Sequence, residues 1–247
     1  MNVRALTTRL VDLLRTRVRP GTEDSLDKES WELEWQKTKW VPLFTEPATR
    51  QKCLDYWRRF RHLDDIVALV QPGEDSRILD VGCGLSTVLH FLPGRRFGID
   101  PLAEDYKRLY AYPEGIQVVA GYGEAIPFGA ESFDLVTCSN CIDHTSDPKS
   151  TMDEIHRVLT TDGWLALTCE VFRRDLGLRN AGHPHSMTRK RLFSLLRRFE
   201  IVQHWDSPWF GLRAYVLGQG PTQQREHIFL ARKSSARGYG GFGGGTG

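Results

Sequence analysis

The sequence predicts an α/β fold in which a mostly parallel, doubly wound sheet carries helices on both faces. Short apolar segments of strand type recur between residues 77 and 232, and segments with helical spacing separate them. The first of these strands leads directly into a turn that contains glycine, as in sheets that bind a ligand at the carboxyl ends of their strands. The chain of 247 residues is long enough for one such domain with additional segments.

The predicted strands and helices alternate along the chain. The strand patterns cover residues 77–81, 96–100, 116–119, 133–138, 163–168, 199–205 and 227–232. The helical patterns cover residues 49–70, 86–92, 102–110, 148–159 and 188–198. Connections that pass through a helix make successive strands parallel, and they place the helices on the two faces of the sheet.

The two ends of the chain differ from this pattern. Residues 1–50 are predicted to form an N-terminal helical cap, because they combine tryptophans, charges and proline breaks. Within them, residues 3–19 place leucines on one helical face among arginines. This pattern fits a helix packed on the domain, with peripheral membrane contact as the alternative. Residues 51–233 are predicted to form one domain. Residues 234–247 should be disordered, since seven of the last ten are glycine.

The composition restricts the classes of partner and compartment. Lys and Arg total 33 against 31 Asp and Glu, and this balance does not favour nucleic-acid binding through phosphate contacts. No apolar run is long enough to span a bilayer, and arginines interrupt the apolar residues that a secretory leader would need. Five cysteines without paired spacings fit a reducing compartment. We therefore expect a cytoplasmic protein with a small-molecule partner, and the sequence leaves its oligomeric state open.

A glycine turn follows the first predicted strand, at residues 80–84. Gly82 and Gly84 allow the backbone to turn tightly and to approach a ligand closely. A dinucleotide-binding loop would have a third glycine where this chain has Thr87, and the Asp80 carboxylate would repel a pyrophosphate. A cationic ligand without phosphate fits better. S-adenosylmethionine (SAM), with an ammonium and a sulfonium group, is such a ligand.

A second candidate ligand contact is Asp100, which ends the next predicted strand, sixteen residues after Gly84. A carboxylate at this place can accept hydrogen bonds from two adjacent ribose hydroxyls. The alternative is that Asp100 caps the helix that follows it. Its position after a glycine turn favours the ribose role.

The glycine turn and Asp100 belong to a series of motifs that resembles the class I SAM-dependent methyltransferases. The series continues through residues 98–100, 123–128, 132–136 and 140–163. It is most similar to the group that contains the ubiquinone and menaquinone biosynthesis C-methyltransferases and many small-molecule methyltransferases. The resemblance covers roughly residues 75–170. It implies SAM as cofactor and a Rossmann-like, seven-stranded sheet whose last strand is antiparallel.

The resemblance also implies which segments hold the cofactor. The glycine turn would hold the methionine part, Asp100 the ribose, and the loop after the third strand the adenine. Relatives often have an Asp in that loop, where this chain has Tyr122, so either Tyr122 or the nearby backbone makes the adenine contact. The predicted cofactor-binding residues are Asp80, Gly82, Cys83, Gly84, Asp100, Pro101, Tyr122, Gly123, Glu124, Ala125 and Asn140.

The candidate catalytic residue is His144. Methyl transfer from a sulfonium is an in-line displacement that depends mainly on alignment, and a base helps when the acceptor is a hydroxyl or a carbon acid. His144 follows the fourth predicted strand, near the place where the methyl group should project. A histidine that only fixes this loop is the alternative. Glu170, just after the fifth strand, is a second candidate base.

Two further motifs carry residue types that often have chemical roles. His183 and His185 are predicted to line the acceptor pocket, with a purely structural role as the alternative. Their spacing also permits metal binding, but no third ligand is evident, so no metal site is predicted. Cys138 and Cys141 form a Cys-x-x-Cys motif at a strand end. We interpret them as buried apolar side chains rather than as a zinc or redox site.

These residues predict an enzyme that methylates a small molecule, such as an isoprenoid quinone, a sugar or another metabolite. The alternative is a SAM-binding, methyltransferase-like protein without activity, for which the departure at Tyr122 leaves room. An RNA or protein methyltransferase is disfavoured by the near-neutral charge and the lack of an added recognition domain. The Asn-Pro-Pro-Tyr type of motif found in some amino-methylating families is absent after the fourth strand.

Overall fold

The computed structural model describes residues 27–41, 47–172, 184–208 and 225–234. The predicted basic helix of residues 3–19, His183 and nearly all of the glycine-rich tail lie outside the described residues. In the described ranges, no helix combines the length and apolar character needed to cross a membrane.

Within the described residues, seven strands form one sheet. They are β1 (Arg77–Val81), β2 (Arg95–Asp100), β3 (Ile116–Ala120), β4 (Phe133–Ser139), β5 (Leu159–Val171), β6 (Phe199–Pro208) and β7 (Arg225–Lys233). Their order is β3-β2-β1-β4-β5-β7-β6. The pairings among β1 to β5 are parallel, and β7 runs antiparallel to both β5 and β6. The sheet is therefore mixed, with the antiparallel last strand that the family resemblance implies.

Three of the described helices precede the sheet in the chain, and three connect its strands. They are α1 (Lys28–Trp35), α2 (Pro47–Phe60), α3 (Leu63–Val70), α4 (Ala103–Leu109), α5 (Pro148–Val158) and α6 (Arg189–Leu195). A π-helical turn, Gln36–Trp40, continues α1, and a 3₁₀ turn covers Val88–Phe91.

The single helix predicted for residues 49–70 is wrong, since the structure has two helices there. α2 ends at Phe60, and His62 adopts a left-handed backbone with a φ of 52° before α3 begins. Tertiary contacts account for this break. The His62 ring stacks on Trp205 with ring centroids 4.6 Å apart, and the Arg61 side chain turns inward to Glu226. The apolar periodicity continues across the break, so the sequence pattern did not reveal it.

The helix predicted for residues 86–92 is also wrong, because only a 3₁₀ turn forms. The Thr87 hydroxyl accepts the amide of Leu89 and also donates to Asp80 at 2.6 Å. Leu92 is already extended, as expected for a residue before proline. Strand β5 is longer than predicted, since it begins at Leu159, four residues before Gly163.

Apolar side chains cover both faces of the sheet, as is typical of buried parallel strands. Adjacent strand residues face opposite ways, so Leu79 and Val136 pack towards α5 and α6, whereas Ile78 and Leu135 pack towards α2 and α3. With both faces covered, the carboxyl ends of the strands are the edge at which polar side chains from different strands can meet. The predicted site residues lie at this edge.

Candidate active site

The glycine turn after β1 adopts a backbone that suits glycine. Gly82 has a φ of 68° and Gly84 a φ of 49°. The amides of Gly82 and Cys83 both donate to the carbonyl of Ile99, at 2.9 and 3.1 Å, which ties the turn to β2. A Cβ atom on Gly82 would lie 2.2 Å from Sγ of Cys141. The turn thus packs directly against the loop after β4, and a larger residue at position 82 would separate them.

The buried side chain of Asp80 supports the start of this turn. Its carboxylate accepts hydrogen bonds of 2.6 Å from the hydroxyls of both Thr87 and Thr137. Burial raises the pKa of Asp80 to about 6, and the two hydroxyl bonds oppose that increase. The Asp80 carboxylate therefore holds the hydroxyls of Thr87 and Thr137 in place. Direct contact with a cofactor stays a prediction.

Asp100 lies at the end of β2, beside the glycine turn. One carboxylate oxygen accepts the amide of Leu102 at 3.0 Å and the other accepts the amide of Gly84 at 3.1 Å. Burial raises the pKa of Asp100 to about 7; the two backbone bonds lower it, and the nearby Glu32 and Asp80 raise it further. Asp100 therefore orders the start of α4, and this function is similar to the helix capping considered above as its alternative role. Each of its oxygens still has a lone pair for a hydroxyl donor.

The loop after β3 carries the predicted adenine contacts. Tyr122 is 52% exposed, and its carbonyl accepts the amide of Ala125 to close a tight turn. Gly123 packs against Thr151 of α5, where a Cβ atom would meet a methyl carbon at 2.8 Å. Glu124 has a second function, since one carboxylate oxygen accepts the amides of Ser146 and Asp147. These contacts fix the loop after β3 to the start of α5 and leave the Tyr122 ring accessible. Pro101, directly after Asp100, is also exposed.

The loop after β4 places a histidine beside a buried carboxylate. The backbone amide of Asn140 donates to Thr168, and the Oδ1 atom of Asn140 is buried without a hydrogen-bond partner among the described residues. The His144 side chain is 21% exposed, and its Nε2 atom lies 3.8 Å from a carboxylate oxygen of Asp143. This places the predicted base at the carboxyl end of β4, with an acid close enough to stabilise a protonated imidazole.

A buried ion pair lies next to this loop and was not predicted. Arg61, from the break between α2 and α3, contacts Glu226 of β7 at 2.6 Å, and both side chains are almost completely buried. Burial raises the pKa of Glu226 to about 7, and the charge of Arg61 opposes the increase. Arg61 also bonds to the hydroxyls of Tyr56 and Thr168. Neither partner stands in a recognisable motif, so only the fold brings them together.

The remaining candidates from the sequence are His185, the cysteines and Glu170. Both ring nitrogens of His185 are engaged, with the carbonyl of Ser146 at 3.1 Å and with Arg191 at 3.2 Å. All five cysteines are free, and a hydrogen bond from the Cys141 thiol to Cys138, together with burial, raises the pKa of Cys141. In the described part of the chain, no group of three or more His, Cys, Asp or Glu is arranged to hold a metal ion. Glu170 is buried at the end of β5, opposite Glu226.

Three polar residues of the N-terminal helix reach the same edge. Lys28 bonds to the backbone carbonyl of His144, and the Tyr122 hydroxyl donates to Glu29 at 2.5 Å. Gln36 is only 7% exposed and lies against Gly84. Sequence reasoning missed these contacts. Glu29, Glu32 and Gln36 share one helical face, but a polar stripe of this kind is usually solvated.

The site is chemically suited to SAM. Asp100 offers lone pairs for hydroxyl donors, and the buried oxygens of Gln36 and Asn140 can accept further hydrogen bonds. At Gly84, the nearest atom to the position of a Cβ atom is Nε2 of Gln36, at 3.7 Å, so the glycine lets another group approach the backbone closely at this point. The carboxylates of Asp100 and Glu32 favour a ligand with positive charge.

Comparisons with known proteins agree with this chemistry. Residues 79–167 match a protein family described as a methyltransferase domain. The chain is 31% identical over 115 residues to an uncharacterized methyltransferase, YcgJ, of Bacillus subtilis, and the match covers 42% of this chain and 46% of that protein. It is 32% identical over 114 residues to a ubiquinone biosynthesis O-methyltransferase of Xanthomonas axonopodis, covering 43% and 47%. The chain therefore spans about half the length of these curated relatives.

Solved structures show the same fold at lower sequence identity. The crystal structure of YcgJ from Bacillus subtilis superposes with a TM-score of 0.54 at 17% identity, covering 71% of this chain and 99% of that one. The cyclase SpnF gives a TM-score of 0.54 at 21% identity, covering 70% and 80%. SpnF is described as a cyclase, so the fold alone does not define a reaction. Residues 79–167 therefore resemble a methyltransferase domain in sequence, and the fold is the one found in YcgJ.

Proposed function

We propose that this protein is a SAM-dependent methyltransferase that acts on a small organic molecule. The observation that carries the proposal is the hydrogen bond from the Gly84 amide to the Asp100 carboxylate. This bond places a carboxylate that can accept hydrogen bonds from hydroxyl groups beside the glycine turn. The family match of the same segment supports it. The curated relative named as a ubiquinone biosynthesis O-methyltransferase supports an organic acceptor of modest size.

The proposed cofactor contacts follow from the geometry of the strand ends. Bound SAM would supply an electrophilic methyl group. Asp100 would hold the ribose hydroxyls, the glycine turn would lie along the methionine part, and the exposed Tyr122 ring would contact the adenine. Asp80 and Glu124 would act indirectly, since their carboxylates hold Thr87, Thr137 and the start of α5.

His144 is the proposed general base for an acceptor that must lose a proton. A neutral imidazole at this place can take a proton from an acceptor hydroxyl as the new bond forms. The buried Asp143 carboxylate, 3.8 Å away, would then stabilise the imidazolium. His185 stays a proposed acceptor contact, although its engaged nitrogens make it better suited to supporting the loop near Ser146.

We propose further that residues 1–50 form a cap over the site, ahead of a catalytic domain at residues 51–233. In the described part of this segment, Lys28, Glu29 and Gln36 contact the loop after β4, the loop after β3 and the glycine turn, respectively. One short helix thus touches three of the segments expected around the cofactor. A cap of this kind would exclude water from the transfer step.

Five free cysteines, four of them buried, support action in a reducing compartment such as the cytoplasm.

The proposal is tested first by binding and then by transfer. Titration calorimetry should show binding of S-adenosylhomocysteine (SAH), the demethylated product, and no comparable binding of NAD. A screen of cell extract with SAM labelled in its methyl group should then show label in a small acceptor, with the Asp100→Ala variant as the control. Binding of NAD in place of SAH would overturn the assignment. Tight SAH binding with no labelled product from extracts or candidate metabolites would favour the alternative of a binding protein without activity.

A further inference from the structure

The N-terminal helix buries a polar side chain at the glycine turn. Gln36 is 7% exposed, although amide side chains normally stay in water because their burial without hydrogen bonds is costly. It lies outside the segment that matches the methyltransferase family, residues 79–167. The family match therefore assigns it no role.

Only half of the Gln36 amide is satisfied inside the protein. Its Nε2 atom donates to Glu32, one helical turn earlier, at 2.8 Å. Its Oε1 atom is buried and has no hydrogen-bond partner among the described residues. A buried acceptor of this kind costs free energy unless a donor reaches it.

The position of Gln36 restricts which donor could reach it. Its Nε2 atom would lie 3.7 Å from a Cβ atom built on Gly84, so the side chain is in contact range of the glycine turn. Glu32 lies close enough to Asp100 to raise the pKa of that carboxyl. The Glu32–Gln36 pair therefore lies close to both the glycine turn and the acid proposed to hold the ribose.

On the basis of the proposed function, we infer that Gln36 binds the cofactor and that its Oε1 atom accepts a hydrogen bond from the α-ammonium of the methionine part. An amide oxygen can only accept, and the ammonium is the donor of the methionine part, whereas its carboxylate is not. The ribose hydroxyls have their own acceptor in Asp100. The negative charge of Glu32, one turn away, adds an attraction for a cation.

The test compares two ligands and two forms of the protein by titration calorimetry. One ligand is SAH, and the other is its deaminated analogue, in which hydrogen replaces the α-amino group. In the parent protein, loss of the amino group should weaken binding at least about tenfold, as for a hydrogen bond to a charged group. In Gln36→Leu, which has similar volume but no acceptor, SAH should bind about tenfold more weakly than in the parent. The deaminated analogue should bind both forms nearly equally, so that the double-mutant cycle assigns the difference to this pair.

Gln51→Leu is the matched control, because it makes the same change at an exposed position of α2. It should leave both affinities unchanged. Thermal melting of Gln36→Leu should stay near the parent value, and Gln36→Met serves as a second variant if Leu impairs folding.

Three results would count against the inference, and they are distinguishable. If Gln36→Leu weakens SAH and its deaminated analogue equally, Gln36 acts through closure of the cap or through the nucleoside, and the ammonium contact is wrong. If Gln36→Leu weakens neither ligand, Gln36 is not a cofactor contact at all. If the parent protein fails to bind SAH, the proposed function itself fails before any variant is compared.

Discussion

The two halves of the strand-end edge stabilise buried charge in different ways. At β1 and β2, the carboxylates of Asp80 and Asp100 are held by threonine hydroxyls and backbone amides, and no cation among the described residues pairs with them. At β5 and β7, the carboxylate of Glu226 is held by the guanidinium of Arg61. Neutral donors leave a carboxylate able to bind a ligand, whereas a full ion pair neutralises it. The difference agrees with the proposed binding of a cationic ligand at the first half, and it gives the second half an internally neutralised pair.

The largest expected effect concerns His144, the proposed base in the loop after β4, between the two halves. If His144 is the base, His144→Gln and His144→Ala should reduce turnover by on the order of 10²–10⁴-fold once an acceptor is known. Both variants should bind SAH normally and melt near the parent temperature. A lower melting temperature with unchanged turnover per folded molecule would instead show that His144 only supports its loop. Catalysis would then depend on alignment of the substrates.

The second effect separates the two halves by stability. Arg61→Met leaves the Glu226 carboxyl buried without its cation, so the free energy of unfolding should fall by about 3–5 kcal/mol at pH 8. The loss should be smaller at pH 5, since an isolated Glu226 would be protonated there. Urea unfolding at both pH values measures this difference, and Arg58→Met, which removes an exposed ion pair with Asp64, is the matched control. An equal loss at both pH values would show that Arg61 acts by packing.

The two halves also differ in how far the sequence predicted them. The glycine turn, Asp100 and the seven strands could be predicted because each signal lies within a few consecutive residues. The Arg61–Glu226 pair could not, because its partners lie far apart in the chain and adopt no motif. The burial of Gln36 was not predicted for another reason. Its helix has a polar face, and burial of that face depends on loops that follow β1, β3 and β4. Local periodicity also failed at His62, where tertiary contacts break an otherwise continuous helical pattern.

The third effect concerns the free energy of unfolding that the protein loses because the Asp100 carboxylate is buried. Its pKa is about 7 in the folded protein against a usual value of 3.8, so the folded state holds the proton more tightly than the unfolded state. The resulting stability is complete below about pH 4 and is lost as the pH rises through 7. At about 1.4 kcal/mol per pKa unit, the loss should be roughly 4 kcal/mol.

Asp100→Asn removes this titration, so the variant should unfold with a flatter pH dependence and should be more stable than the parent at pH 8 without cofactor. The same variant should bind SAH at least about tenfold more weakly, because a neutral amide is a poorer hydroxyl acceptor. Chemical denaturation between pH 4 and 8 and calorimetry measure the two effects. A variant that is less stable at pH 8 would show that the backbone bonds of Asp100 outweigh its buried charge.

The smallest expected effect concerns the contact between the cap and the adenine loop. The Tyr122 hydroxyl donates to Glu29 on an exposed surface, where such a bond contributes little to stability. Tyr122→Phe keeps the ring and removes this bond, so SAH affinity should fall by less than about fivefold. Tyr122→Ala also removes the ring, and it should weaken SAH binding more strongly if the ring lies on the adenine.

Limited proteolysis within residues 1–50 should be faster for Tyr122→Phe than for the parent when SAH is present, because the cap has lost one attachment. Equal affinities for all three forms would place the adenine on backbone groups of Gly123 and Glu124.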